Sequence, residues 1–374
     1  MSEATPPPKL VLFYTTALQT RPTYRRGILD CLSYPNGHVL QYSYRIGQID
    51  PLLRGTTSLH EGSHGAIVFV DEASPREYVY YALRRVRVLR DLPADVEKRL
   101  ADRERAAIVL ELHDFVEYAS TKNPRQWHDR ISAFDGARNI RDGKPEYFVI
   151  ETQDIFTKAS VTQLSAWEDV ATNLAQSHDL ANATFLNIEH PQNFESQVPL
   201  TLESSRNAPQ YRVRPGQAYR LNIAIYDNKG RETRLKLASS SDDLVQVNQP
   251  FQSVVSGLSQ KSALISCKRS IENRSVFLSV QVEEDSTQQA SNSTVTAPNP
   301  TLLLRVEVPW RTLITFFLLV AVGAFFVSWD PDLIKELSCT PHIKTWGLIA
   351  KGVGAIALAF AAWIGFRKLP AVSG

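Results

Sequence analysis

Residues Arg214–Asp227 read RPGQAYRLNIAIYD, and the alternation in this stretch decides the fold class. Tyr219, Leu221, Ile223 and Ile225 occupy every second position, with Arg220 and Asn222 between them. Successive side chains of a β-strand point to opposite faces, so such a run buries one face and wets the other. Arg214-Pro215-Gly216 before it and Asp227-Asn228-Lys229-Gly230 after it are turn-forming residues. The same alternation returns at Val276, Leu278, Val280 and Val282, and Leu302–Val308 supplies a last strand. Short strands at turn-rich spacing predict a β-sandwich over 198–308.

The run RPGQAYRLNIAIYD resembles strands of bacterial immunoglobulin-like modules, with the resemblance covering 198–308. It implies an Ig-like sandwich used for interaction or spacing rather than chemistry. Residues 286–300 (STQQASNSTVTAPNP) are a polar, low-complexity interruption.

Upstream, the texture changes. After a Pro-rich start at 1–8, expected to be disordered, strand-like runs fall at Lys9–Ala17, Val39–Arg45, Ala66–Asp71, Tyr78–Leu89, Ala107–Phe115 and Tyr147–Glu151. Thr23–Leu32 and Pro93–Arg105 read as helices. Ser160–Gln176 is the clearest amphipathic helix, with Ser160 and Gln163 as a capping box and Leu164, Trp167, Ala171 and Leu174 on one face. Thr184–Ile188 follows as a strand. Residues 9–195 therefore predict a mixed α+β domain with a mostly antiparallel, barrel-like sheet.

Downstream, two apolar stretches predict a transmembrane hairpin: 311–329, a short external loop at 330–345, and 346–366, followed by a tail at 367–374. As helices they rise roughly 30 Å each, the thickness of a bilayer's hydrocarbon core. Arg305, Arg311, Arg367 and Lys368 flank the outer ends, so both termini and the soluble domains are placed in the cytoplasm of an inner membrane or its equivalent. The first residues lack a basic and an apolar region, so no signal peptide is read there. Cys31, Cys267 and Cys339 lie far apart, which suits a reducing compartment and argues against a disulfide framework. Gly347, Ala350, Gly354, Ala357 and Ala361 form one small-residue face on the second stretch. That face is read as packing on the first helix, with oligomer contacts as the sharper reading.

Two candidate sites stand out. His60-Glu61-Gly62-Ser63-His64 matches H-E-x-x-H literally, in which His60 and His64 would bind a metal and Glu61 act as base. The surrounding glycines break the helix that this chemistry needs, so a flexible loop is preferred. The second candidate is an arginine–tyrosine cluster of Arg25, Arg26, Tyr81, Arg84, Arg85 and Arg87. Guanidinium forks suit phosphates and tyrosine rings stack on bases. Neighbouring Asp71, Glu72, Glu77 and Asp91 offer the plainer role of ion pairs. A strand over Tyr78–Leu89 puts Arg85 and Arg87 on one face and Arg84 on the other. Cys31 with His38 as nucleophile and base is a weaker pairing than a buried cysteine.

No phosphate-binding loop, dinucleotide fingerprint or nucleophile elbow is present, and no cofactor is expected. A net charge of +2, from 41 basic and 39 acidic residues, does not favour nucleic acid as a partner. The leading expectation is a membrane-anchored, non-enzymatic cytoplasmic recognition or scaffold protein. Its partners would be the lipid bilayer and either a protein or a second copy. A sensor–effector variant assembles in the membrane. The alternatives are a membrane-tethered, metal-dependent hydrolase built on His60 and His64, and a nucleotide- or RNA-binding module.

Overall fold

The computed structural model describes residues 10–16, 22–45, 64–74, 77–89, 105–116, 147–150, 162–181, 183–203, 208–228, 233–254, 257–268, 273–284, 299–328 and 343–366. Most of these residues lie in strands. The first part of the chain forms β1 (Leu10–Thr16), α1 (Pro22–Ser33), β2 (Val39–Arg45), β3 (His64–Ser74), β4 (Glu77–Leu89), β5 (Arg105–Phe115), β6 (Tyr147–Ile150) and α2 (Gln163–Leu174). The six strands make one sheet in the order β2-β5-β4-β3-β1-β6. Only β1 and β3 pair in parallel; the other neighbours are antiparallel. Among the described residues the sheet is open, with β2 and β6 at its ends, which corrects the barrel-like expectation. A small barrel fills its interior with its own side chains. Here α1 and α2 supply that filling, with Ile28, Leu32, Trp167, Val170 and Leu174 packed against Phe69, Leu83 and Leu110.

The predicted strands sit within a few residues of their observed ends. The predicted helix at 93–105 lies outside the described residues, except that Arg105 opens β5. The start of α2 differs from its expected capping box. Thr162 is the N-cap, and its Oγ1 accepts the Ser165 N–H at 3.3 Å. The Gln163 side chain instead accepts the Phe115 N–H at 3.1 Å, tying the helix to β5. A single side-chain bond across the fold outcompetes the local reciprocal pair.

The second part comprises β7 (Thr184–Ile188), β8 (Gln192–Asn193), β9 (Leu202–Glu203), β10 (Gln210–Val213), β11 (Ala218–Asp227), β12 (Thr233–Ser239), β13 (Val245–Asn248), β14 (Phe251–Val254), β15 (Gly257–Cys267), β16 (Arg274–Glu284) and β17 (Thr301–Val306). One sheet runs β13-β15-β11-β7, with β8 also on β11; the other runs β14-β12-β16-β17-β10-β9. Their facing sides bury the alternating residues read from the sequence: Tyr219, Leu221, Ile223 and Ile225 against Val276, Leu278, Val280 and Leu304. Between β13 and β14 the chain changes sheet at Gln249-Pro250. Gln249 takes a left-handed φ of 57°, an uncommon conformation for a residue with a Cβ.

The sandwich begins earlier than its predicted edge at 198. β7 pairs antiparallel with β11, Ile188 opposite Ile223, so this strand belongs to the second part rather than the first. Every residue of β7 is buried. Leu186 and Ile188 point into the sandwich, while Phe185 joins Ala224 and Tyr226 on the reverse face, against α1 and α2. The layers therefore run sheet, helices, sheet, sheet. The helices share one core with both parts of the chain.

From β17 only Glu307–Pro309 separate the sandwich from α3 (Trp310–Val327), which pairs with α4 (Ile343–Phe366). Among the described residues, no helix is long and apolar enough to cross a membrane. The side chains described cover 310, 311 and 313–327 of α3 and 349–361 of α4.

Candidate functional site

Arg84 is the most unusual side chain in the described structure: a guanidinium with 0% exposure. Its strand carries register shifts on both sides, between the Arg84 and Ala82 pairings with β3 and between Arg84 and Val86 on β5. Bulges of this kind re-aim a side chain. Arg84 turns into the core beneath the C-terminal end of α1. Its Nη1 donates to the Cys31 carbonyl at 2.8 Å and the Tyr34 carbonyl at 2.6 Å. Nε donates to the His113 carbonyl at 2.5 Å, and Nη2 to Asn36 Oδ1 at 2.5 Å. The last carbonyls of a helix lack partners within it and carry the negative end of its dipole, so a cation is favoured there. The Phe115 ring lies 4.3 Å from the guanidinium carbon.

Around this hub, Asn36 also donates to Asp114 Oδ1 at 2.9 Å. The turn Tyr34–His38 is fixed by two backbone bonds, Gly37 N–H to the Leu112 carbonyl and Leu112 N–H to the His38 carbonyl. Gly37 has φ 81°, and a Cβ there would lie 3.3 Å from Leu202 of β9, so the turn seats against the sandwich. His38 is buried beside the Tyr34 ring, and its Nδ1 has no hydrogen-bond partner. Burial, reinforced by the Arg84 charge, pushes its pKa down to about 3. His190 is likewise held below the usual imidazole range by burial and then by Arg84; its Nδ1 lies 3.1 Å from the Tyr211 hydroxyl. Burial pushes the Cys31 thiol up to about 12, so Cys31 is a protonated thiol and His38 a neutral imidazole, without the thiolate a nucleophile needs.

The arginine–tyrosine cluster is thus divided among different roles. Arg84 is a core ligand for carbonyls rather than a phosphate contact, because four of its five donors are already used and no face of it reaches solvent. Tyr81 is also buried, stacked on Phe69 at 5.9 Å, with its phenol pushed up to about 12 by burial and by Asp71. Arg87 is exposed but grips Glu111 Oε2 through Nη2 at 2.6 Å and Nε at 2.9 Å. Arg85 is half-buried. Arg25 and Arg26 lie on α1, with side chains outside the described residues.

Of the literal metalloprotease motif, only His64 falls among the described residues. His64 is the first residue of β3, opposite Arg87, while His60 lies outside the described residues. One other group among the described residues has the donor set for a metal. Asp71, His178 and Asp179 bring one ligand atom each within 4.8 Å of one another. No local sequence signal announces it, since Asp71 and His178 are 107 positions apart.

The small-residue face of α4 is used within the chain. Gly354, Ala357 and Ala361 are buried against α3, Ala350 is partly buried, and Gly347 continues the same line. A Cβ on Gly354 would lie 2.9 Å from the Gly323 carbonyl oxygen and 3.0 Å from the Val327 nitrogen. One on Gly323 would meet Leu358 at 2.6 Å. The closest approach of the two helices is therefore glycine on glycine. The same face is not available to a second copy while the hairpin stays closed.

On the sandwich, the outward side of β14-β12-β16-β17-β10-β9 carries ion pairs. Lys236 meets Glu283 at 2.8 Å, Arg305 meets Glu307 at 2.9 Å, and Arg212 bridges Glu203 and Glu307. Between them stand Phe251 and Phe277, both more than half exposed, with Lys236 over the Phe251 ring.

No family model matches the chain, and no curated protein matches it. Solved structures with some likeness include WR4, a Caenorhabditis elegans MSP family member, at 12% identity over 26% of this chain and 92% of that one, with a TM-score of 0.19. SSP-19, an MSP-domain protein like family member from Caenorhabditis elegans, gives 13% identity over 25% and 90%, also at 0.19. The Escherichia coli chaperone DraB gives 12% identity over 29% and 56%, at 0.21. With scores this low, the sandwich assignment rests on the strand pairing above.

Proposed function

We propose that the protein is a membrane-anchored recognition or scaffold protein, held by the α3–α4 hairpin with its sheets standing directly on the bilayer surface. The carrying observation is the outward side of that hairpin. Phe317, Leu318 and Phe325 on α3, and Ile349, Ile356 and Phe360 on α4, are all exposed. Soluble surfaces rarely leave large apolar side chains contiguous on both helices of a pair. Lipid removes the penalty of leaving them uncovered. The helices instead meet through glycine and alanine, the packing that works where hydrophobicity offers no drive for association. Trp310 and Arg311, at the foot of α3 and both exposed, suit the headgroup layer.

The part ahead of the anchor is proposed as a single recognition unit. Its helices share a core with both the first sheet and the sandwich, so it presents surfaces in fixed relation to the membrane. The outward sheet with Phe251 and Phe277 is the face proposed for a protein partner. The nucleotide-binding alternative loses its main support, because Arg84 is buried and Arg87 is paired.

Alkaline carbonate extraction of membranes carrying the full chain tests the anchor. The expected result is protein retained in the pellet and released only by detergent. Release by carbonate alone would refute the anchoring.

A further inference from the structure

We propose that Asp71, His178 and Asp179 form a binding site for one divalent transition-metal cation, closing the first sheet onto the turn that leads into the sandwich. Asp71 ends the buried run Gly65–Asp71 of β3 and is 2% exposed. Its Oδ2 accepts the His178 N–H at 2.9 Å and its Oδ1 the Asp179 N–H at 3.1 Å. These two bonds fix the carboxylate and the turn after α2 against each other. They also leave lone pairs on both oxygens. Among the described residues, no lysine or arginine pairs with Asp71. A buried carboxylate held by two amide donors beside a second carboxylate favours a bound cation.

The neighbouring side chains supply the remaining donors. His178 Nδ1 stands 3.3 Å from Asp179 Oδ1, and all three ligand atoms lie within 4.8 Å of one another. Bonds of about 2.0–2.2 Å to a central ion place adjacent donors roughly 3 Å apart, so small side-chain rotations close this set. One imidazole and two carboxylates favour zinc or manganese over calcium or magnesium, which prefer oxygen alone. Three protein ligands leave the remaining positions to water. The proposal stands apart from membrane anchoring and from the His60–His64 motif, and its test separates them.

The test uses the full chain in detergent, stripped with chelator and titrated calorimetrically with zinc or manganese chloride, with metal content measured after desalting. One ion per chain is expected, with a metal-dependent rise in melting temperature. His178→Ala is the informative variant, because that side chain is 59% exposed and its loss leaves the Asp71 backbone bonds in place. It should weaken binding by about tenfold or more and abolish the rise in melting temperature. Asp71→Asn should weaken binding as well, while the double substitution His60→Ala and His64→Ala should leave it unchanged. Absence of binding up to about 1 mM metal overturns the proposal. So does binding that survives His178→Ala, or that vanishes with His60 and His64.

Discussion

Replacing Arg84 with methionine tests whether the hub holds the first sheet to α1. Two effects oppose each other. Removing a buried charge relieves its desolvation, and buried ion pairs replaced whole by apolar residues often gain stability. Here the partners are not an ion that leaves with it. They are the Cys31, Tyr34 and His113 carbonyls and Asn36 Oδ1, all of which stay behind. Each buried acceptor left without a donor costs about 1–3 kcal/mol. Four of them at about 1.5 kcal/mol each, partly offset by the apolar side chain, give a net loss of about 4 kcal/mol. Arg84→Lys keeps the charge but has only three donors and no planar fork, so about half that loss is expected. Urea unfolding of the full chain in mild detergent, followed by circular dichroism, would read this as midpoint shifts of roughly 2 M and 1 M. A methionine variant as stable as the parent, or more stable than the lysine variant, would refute the account of a carbonyl-binding hub.

Three further outcomes follow from the described contacts. Gly354→Leu should destabilise the α3–α4 pair by about 2–3 kcal/mol, because its side chain has no room beside the Gly323 carbonyl, whereas a Cβ on Gly352 meets nothing within 4 Å and Gly352→Leu should be tolerated; limited proteolysis in detergent distinguishes them. His38 is neutral when folded, with its pKa near 3 against an ordinary 6.5, so the unfolded chain binds the extra proton as pH falls below about 6.5. Stability should then drop towards pH 3 by up to about 1.4 kcal/mol per pH unit, and His38→Gln should flatten that slope in urea midpoints taken between pH 7 and pH 4. Burial pushes both Cys31 and Cys267 up to about 12, so in a Cys339→Ser background a thiol reagent at pH 8 should label neither until denaturant is added; prompt labelling of either would contradict their burial.

The strands were legible because their period is carried residue by residue. Tyr219, Leu221, Ile223 and Ile225 announce one buried face, and that face is the sandwich interior. β7 misled for the opposite reason. Thr184–Ile188 is buried on both faces, so it has no alternation to assign it to either part, and only pairing with β11 does so. Arg84 was legible as the odd residue on its side of β4. Its destination was not, since arginines are usually solvated and the partners that draw this one inward are backbone carbonyls, which every sequence contains. His178 and Asp71 could not be joined by spacing at all.

The small-residue line on α4 is a pattern that leaves its partner open. Gly354, Ala357 and Ala361 fall on one face, and from sequence that face serves an internal partner or a second copy equally well. In the structure Gly323 of α3 occupies it. Substitution of Gly354 would therefore open the hairpin and abolish any clustering as a secondary effect, so lost clustering would say nothing about where two copies meet. If the proposed membrane anchor also carries self-association, the contact runs through side chains that the closed hairpin leaves outward, of which Phe317 and Ile356 are among the most exposed. Changing these two to alanine keeps the glycine contact and remains apolar enough for lipid. If cross-linking in native membranes detects an oligomer, that double variant should lose it while resisting proteolysis like the parent. An oligomer that survives the double change would move the contact off the hairpin and onto the sheets.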